Sequence, residues 1–217
     1  MSELPASLKP RLRGVFHQWA CAVSVPLGGV LVIVAADARA RIALTAYAVS
    51  LVALFGVSAL YHRINWRSLT ARAWMRRLDH SMIFILIAGS YTPFAVLVLR
   101  GPLSIAILLA VWGGAILGVG FNLLWTNAPS WLRAALCILL GWVAVAALPQ
   151  LGTAIGIGGL TLLGLGGVLY TLGAVVYAVK RPDPAPAVFG YHEIFHVIVI
   201  VAAALQYAVV AFWIVPA

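Results

Sequence analysis

Long runs of apolar residues occupy most of this 217-residue chain. A helix that crosses the hydrocarbon core of a bilayer needs about 20 such residues. Seven segments have the required length, at residues 15–36, 42–62, 80–99, 103–125, 131–148, 155–179 and 191–215. Because backbone groups inside a bilayer must bond within their own segment, each segment is predicted to be a helix. The expected fold class is therefore all-α, a polytopic membrane protein with seven transmembrane helices.

The composition excludes an ordinary soluble domain. Hydrophobic residues make up 64% of the chain and charged residues 9%, whereas about 25% of a soluble domain is charged. The first apolar run is too long for the core of a signal peptide, so it is interpreted as a retained helix. We expect a short polar tail at 1–14, a single membrane domain at 15–215, and a location in the cell membrane as a multi-pass protein.

The positive charges predict how the helices are oriented. With seven helices and the N-terminus inside, the outer segments hold only Arg39, Arg41 and Arg100. The inner segments hold Lys9, Arg11, Arg13, Arg63, Arg67, Arg72, Arg76, Arg77, Arg133, Lys180 and Arg181. This asymmetry follows the positive-inside rule and predicts a cytoplasmic N-terminus and an outer C-terminus. The net charge of +9 is therefore expected to face membrane lipids and not nucleic acid.

Ionisable residues inside a membrane are costly and mark candidate functional sites. His62 ends the second predicted helix, Asp79 directly precedes the third, and His192 and His196 open the seventh. All four fall on the predicted cytoplasmic side. Residues four apart share a helical face, so His192 and His196 can bind one metal ion. With His62 they form a candidate three-histidine zinc site with one open position.

A zinc ion held in this way lowers the pKa of its bound water to about 7. Asp79 is the candidate acceptor of the water's proton, and Ser58, one turn before His62, is a candidate hydrogen-bonding partner in the site. Two other interpretations stay open: Asp79 as the N-cap of the third helix, and Glu193 as a carboxylate that favours a helix N-terminus. Imidazole ligands also suit copper, iron and nickel.

Residues 192–196 also read His-Glu-Ile-Phe-His, which matches the H-E-x-x-H pattern of metalloproteases. In that pattern the two histidines bind zinc and the glutamate, here Glu193, is the general base. Intramembrane proteases of this type carry the pattern on an early helix and an aspartate ligand on a later one. The order here is reversed, so the protease remains a minor alternative.

Four motifs together resemble the bacterial hemolysin III family. They are Ser-Ala-Leu-Tyr-His at 58–62, Arg-Leu-Asp-His-Ser at 77–81, Ile-Ala-Gly-Ser-Tyr-Thr-Pro at 87–93 and His-Glu-Ile-Phe-His-Val at 192–197. That family is similar to the progestin and adipoQ receptors, which include the adiponectin receptors, and more distantly to alkaline ceramidases. The resemblance covers nearly the whole chain and implies seven helices, a cytoplasmic N-terminus and a zinc site.

The matching motifs imply a role for particular residues. Ser58 falls on the serine of helix two, Asp79 on the aspartate of helix three, and His62, His192 and His196 on the zinc ligands. Many bacterial members carry an acidic residue just before the histidine of helix one. The segment before His17 has none, so no role is carried onto that histidine.

Three functions are compatible with this pattern. The first is a zinc-dependent hydrolase that acts on a lipid amide or ester within the membrane. The second is a receptor-like regulator of membrane state in which zinc is structural and ties helices two and seven together. The third is a pore-forming haemolysin. It has little support, because no line of charged residues runs through the outer half of the predicted bundle.

Overall fold

Helices follow one another along the chain, which the computed structural model describes at residues 10–125 and 127–215. The helices are α1 Val15–Ile33, α2 Ala38–Arg63, α3 Leu69–Pro93, α4 Pro102–Leu124, α5 Ser130–Gly141, α6 Leu148–Val179 and α7 Tyr191–Val209. Two π-helical segments, Phe94–Val98 and Val210–Ile214, extend α3 and α7, and a 3-10 segment, Trp142–Ala147, joins α5 to α6. The expected all-α class is confirmed.

Six helical segments of the described chain are long and apolar enough to cross a membrane. Five of them contain one helix each, and the remaining one is Ser130–Val179, with 50 residues. At 1.5 Å per residue this segment would be about 75 Å long if straight, more than twice the hydrocarbon thickness of a bilayer. It contains both α5 and α6, which meet at the 3-10 segment.

The chain reverses direction between α5 and α6. Ser130 Oγ, at the start of α5, donates a hydrogen bond to the Ala178 carbonyl near the end of α6, at 3.3 Å. Trp142 Nε1, just beyond the end of α5, donates to Thr171 Oγ1, nearer the middle of α6, at 3.1 Å. The later position in the α5 region pairs with the earlier position in α6, so α5 and α6 pack antiparallel.

The fifth and sixth helices differ from their predicted bounds. The segment 131–148 was expected to be one helix, but α5 ends at Gly141 and α6 already begins at Leu148. Tyr91 of α3 bridges the interruption, since its hydroxyl donates to the Gly141 carbonyl and accepts from the Ala144 amide. A single side chain thus satisfies backbone groups that a regular helix would pair internally.

The start of α3 also differs from the prediction. The helix begins at Leu69, where Ser68 is the N-cap and accepts a hydrogen bond from the Ala71 amide at 3.2 Å. Hydropathy marks only the apolar part of the helix, and the arginine-rich first turns lie outside that pattern. The interpretation of Asp79 as the N-cap is therefore wrong, because this residue lies well inside α3.

Small residues bring neighbouring helices close together. A Cβ at Gly89 of α3 would lie 2.2 Å from Ser50 Oγ of α2, and one at Gly28 of α1 would lie 2.8 Å from the Ala48 Cβ of α2. Without a hydrophobic driving force between helices in lipid, such close packing is the main source of their association. These contacts hold the middle of α2 between α1 and α3.

Candidate metal centre

Three histidines from α2 and α7 meet at one end of the bundle. His62 lies in the last turn of α2, and His192 and His196 lie in the first two turns of α7. Their exposed fractions are 7%, 8% and 2%. One ring nitrogen from each lies within 4.8 Å of the others, so this cluster can hold a metal ion. Proximity of these three side chains was expected from the sequence.

The donor atoms fit a metal ion. His62 Nε2 and His192 Nε2 are 3.1 Å apart, and two nitrogens bound to one tetrahedral zinc at 2.0–2.1 Å lie about 3.3 Å apart. Within the described residues, the buried Nδ1 of His196 has no hydrogen-bond partner. The neutral imidazole is the form that ligates metals.

The Asp79 carboxylate joins the cluster from α3. Its Oδ2 lies 3.7 Å from His62 Nε2, and the side chain is buried. Ser58, one turn before His62 on α2, is also buried and interacts with this carboxylate. The structure thus brings both predicted catalytic side chains beside the three histidines.

A cavity of about 380 Å³ opens from the cluster into the bundle. Ser58, Asp79 and His196 are among its lining residues, and apolar side chains such as Phe84 and Leu151 make up most of the lining. A mainly apolar cavity with a few polar groups is typical of a small-molecule binding site.

Four polar residues that the sequence reasoning did not assign to a site surround the same cavity. Arg133 of α5 donates from Nε to Asn122 Oδ1 at 3.1 Å and interacts with Tyr177 of α6. The Tyr177 hydroxyl lies 3.4 Å from His80 Nε2. All four line the cavity. The sequence offered one signal for Arg133, because an ionisable residue inside a predicted spanning segment is a candidate functional residue.

Glu193 takes a different position from the general base of a metalloprotease. Its Oε1 accepts from Arg13 Nε at 2.5 Å, and its Oε2 accepts from the Gly190 amide at 2.8 Å. One carboxylate oxygen is therefore bound by Arg13, just before α1, and the other by the residue that precedes α7. The interpretation of Glu193 as a carboxylate at a helix N-terminus agrees with this geometry.

His17 of α1, which received no role from the sequence, is buried against the cluster. Its ring stacks on that of His196, with centroids 3.7 Å apart and planes 10° apart. Phe55 contacts the His17 ring edge-on at 5.1 Å. His17 is thus a packing neighbour of one candidate ligand.

Apolar helices long enough to cross a membrane, which enclose a buried group of histidines that could hold a metal ion, define this molecule as a multi-pass integral membrane protein. The chain belongs to the haemolysin-III related family, whose sequence model matches residues 6–207. The predicted resemblance to hemolysin III is confirmed.

Individual relatives support the same assignment. The chain is 33% identical to "Hemolysin-3" of Bacillus cereus, over 93% of this chain and 90% of that protein. It is 29% identical to "Hemolysin-3 homolog" of Bacillus subtilis (strain 168), over 92% of this chain and 91% of that protein. It is also 27% identical to the "Monocyte to macrophage differentiation factor" of Homo sapiens, over 79% of this chain and 70% of that protein.

Proposed function

We propose that this protein is a zinc-dependent hydrolase that cleaves an amide or ester bond of a membrane lipid. The observation that carries the proposal is that the three-histidine cluster and Asp79 lie beside a mainly apolar cavity, which His196 and Asp79 help to line. A metal-binding cluster in such a place can meet the polar linkage of a lipid while the cavity holds its chain.

His62, His192 and His196 are the proposed zinc ligands. Zinc, when bound, supplies a Lewis acid and an activated water. Asp79 Oδ2 would take up a proton from water and return it to the leaving amine or alcohol. Ser58 orients the Asp79 carboxylate.

Arg133 and Tyr177 are proposed to bind the carboxylate product. The guanidinium of Arg133 is the cationic group at the polar part of the cavity, and Tyr177 holds it through their interaction. A guanidinium favours carboxylate and phosphate oxygens. It therefore suits the acyl carboxylate that hydrolysis releases.

The proposed topology has seven spans with a cytoplasmic N-terminus. The antiparallel packing of α5 and α6 within one 50-residue apolar segment supports two crossings there. The distribution of lysine and arginine supports the orientation. In this topology the histidine cluster lies near the cytoplasmic face, and membrane lipids are the expected substrates.

The first test is the metal content of protein purified in detergent without chelators. About one zinc per chain is expected in the wild type, and its loss is expected in His62→Ala, His192→Ala and His196→Ala, because each removes one ligand. His80→Ala is the matched control, since this histidine lies by the cavity but outside the cluster, and it should retain the metal. Metal analysis by mass spectrometry gives the stoichiometry.

Release of fatty acid from long-chain amide and ester lipids in mixed micelles then tests catalysis. Asp79→Asn should keep zinc and lose hydrolysis by about 10²-fold or more, because it removes the proton acceptor. Folded wild-type protein without metal contradicts the proposal. So does Asp79→Asn with undiminished hydrolysis.

One observation favours a second candidate, a receptor-like regulator with structural zinc. Asp79 lies close enough to His62 for small side-chain movements to make it a fourth ligand. A site closed by four protein ligands has no position for a water or substrate. Zinc-loaded protein that hydrolyses none of the lipids, and whose Asp79→Asn variant binds zinc more weakly, would favour this candidate.

A further inference from the structure

The segment at residues 10–14, which we call the N-terminal strap, is fastened to the loop between α6 and α7. The Arg11 amide donates to the Ala187 carbonyl at 3.1 Å, and the Leu12 amide donates to the Val188 carbonyl at 3.2 Å. These backbone hydrogen bonds hold the strap alongside the loop that leads directly into α7.

An ion pair joins the end of the strap to the first turn of α7. Arg13 Nε and Glu193 Oε1 are 2.5 Å apart, and their side chains are 21% and 0% exposed. The other Glu193 oxygen accepts from the Gly190 amide and so caps α7. A carboxylate buried this completely needs a partner, because an unpaired buried charge is strongly destabilising.

The same stretch of chain also touches two candidate metal ligands. A Cβ at Gly14, the residue after Arg13, would lie 2.6 Å from the Cβ of His62. His17, four residues after Arg13, stacks on His196. The strap and the first turn of α1 therefore contact both helices that supply the three histidines.

These contacts allow the ion pair to fix the turn of α7 that carries His192. Glu193 lies directly after His192 in α7, so any rotation or shift of this turn moves the His192 imidazole. Arg13 fixes the carboxylate from one side while the Gly190 amide fixes it from the other. Groups that orient metal ligands from outside the coordination sphere commonly change metal affinity by about 10- to 100-fold.

We propose that Arg13 and Glu193 are positioning residues that hold the first turn of α7 and thereby set the metal affinity of the three-histidine site. The inference rests on the proposed function insofar as the site takes a metal. It assigns Glu193 a role distinct from that of a general base, and it gives the strap a part in the site.

The test uses detergent-purified, metal-free protein titrated with Co²⁺, whose visible absorption reports the ligand geometry. Arg13→Gln and Glu193→Gln should each weaken Co²⁺ binding by about 10-fold. The double variant should be no weaker than the poorer single variant, because two residues that act as one pair are not additive. Arg11→Gln is the matched control, an exposed arginine two residues earlier in the same strap, and it should bind Co²⁺ as the wild type does.

Thermal unfolding of the metal-free forms separates positioning from stability alone. A merely structural role lowers the melting temperature but leaves the affinity and the absorption band of the folded protein unchanged, and that result overturns the inference. Equal losses in Arg11→Gln, or additive losses in the double variant, also overturn it. If Arg13→Gln does not fold, Arg13→Lys replaces it, and a smaller loss of Co²⁺ affinity is expected.

Wild-type protein that binds no Co²⁺ or Zn²⁺ contradicts the proposed function as well as this inference. Variants with unchanged affinity, in a wild type that does bind metal, contradict this inference alone.

Discussion

At the scale of single residues, Gly89 shows how closely two membrane helices can pack. A Cβ there would lie 2.2 Å from Ser50 Oγ, 2.5 Å from Ser50 Cβ and 3.2 Å from the Ala46 carbonyl oxygen. The last of these is backbone and cannot rotate away. The position therefore has no room for even one methyl group, and the spacing of α2 and α3 depends on it.

We expect Gly89→Ala to destabilise the protein by about 1–3 kcal/mol, because the added methyl overpacks the helix interface. Thermal unfolding in detergent measures the effect. Gly113→Ala on α4 is the control, since a Cβ there meets nothing within 4 Å. Alanine is the better helix former, so the control should unfold at the wild-type temperature or slightly above it. Equal melting temperatures for the two variants would contradict this account.

The residues of the candidate site could largely be predicted from the sequence, but the residues that hold them in place could not. His62, Asp79, His192 and His196 stand out because ionisable side chains are rare in apolar segments. The partner of Glu193 could not be found in this way, because Arg13 is 180 residues distant and sits among many other arginines. A pairing across that distance depends on how α1 and α7 pack.

At the scale of elements, α6 owes its shape to one backbone position. Gly156 has φ 60° and ψ −175° inside the helix, and it separates the short first part of α6 from the long second part. Side chains from both parts, including Leu151 and Leu160, line the cavity beside the histidines. The kink therefore shapes the wall of the proposed lipid-binding site.

We expect Gly156→Ala to lower stability by about 1–3 kcal/mol, because this backbone conformation is essentially restricted to glycine. Gly164→Ala, later in the same helix, has open space for a Cβ and no positive φ, and it should have little effect. The melting temperatures of the two variants in detergent provide the comparison. A Gly156→Ala protein as stable as the Gly164→Ala protein would show that the kink is not required.

Hydropathy located the helices but not all of their ends. It marks where a helix meets lipid, so α3, which begins at Leu69 in an arginine-rich stretch, was expected to start much later. The break after Gly141 was also missed, because it depends on hydrogen bonds from Tyr91 of another helix. Helix ends set by tertiary contacts have no local signal.

At the scale of the whole molecule, the proposed orientation makes a direct prediction for labelling in cells. The background is a variant without Cys21 and Cys137, which are both free thiols. A cysteine at position 100 should react with a membrane-impermeant maleimide in intact cells, because it is expected to face outward. Cysteines at positions 11 and 181 should react only after permeabilisation. The reverse pattern would invert the topology, and labelling of positions 100 and 181 from the same side, opposite to position 11, would remove one crossing between them.

The histidines of the cluster come from distant parts of the sequence, and this separation has a consequence for biosynthesis. His62 and His192 are 130 residues apart in the chain, a length that a ribosome takes roughly 7–26 s to translate at about 5–20 residues per second. During that interval α2 already resides in the bilayer, while His192 and His196, the other two histidines of the cluster, have not been made. The strap is among the first described residues to leave the ribosome, and its partner Glu193 in α7 is made only later. In the proposed function, metal acquisition would thus be a late maturation step, and chains that terminate early would lack the complete ligand set.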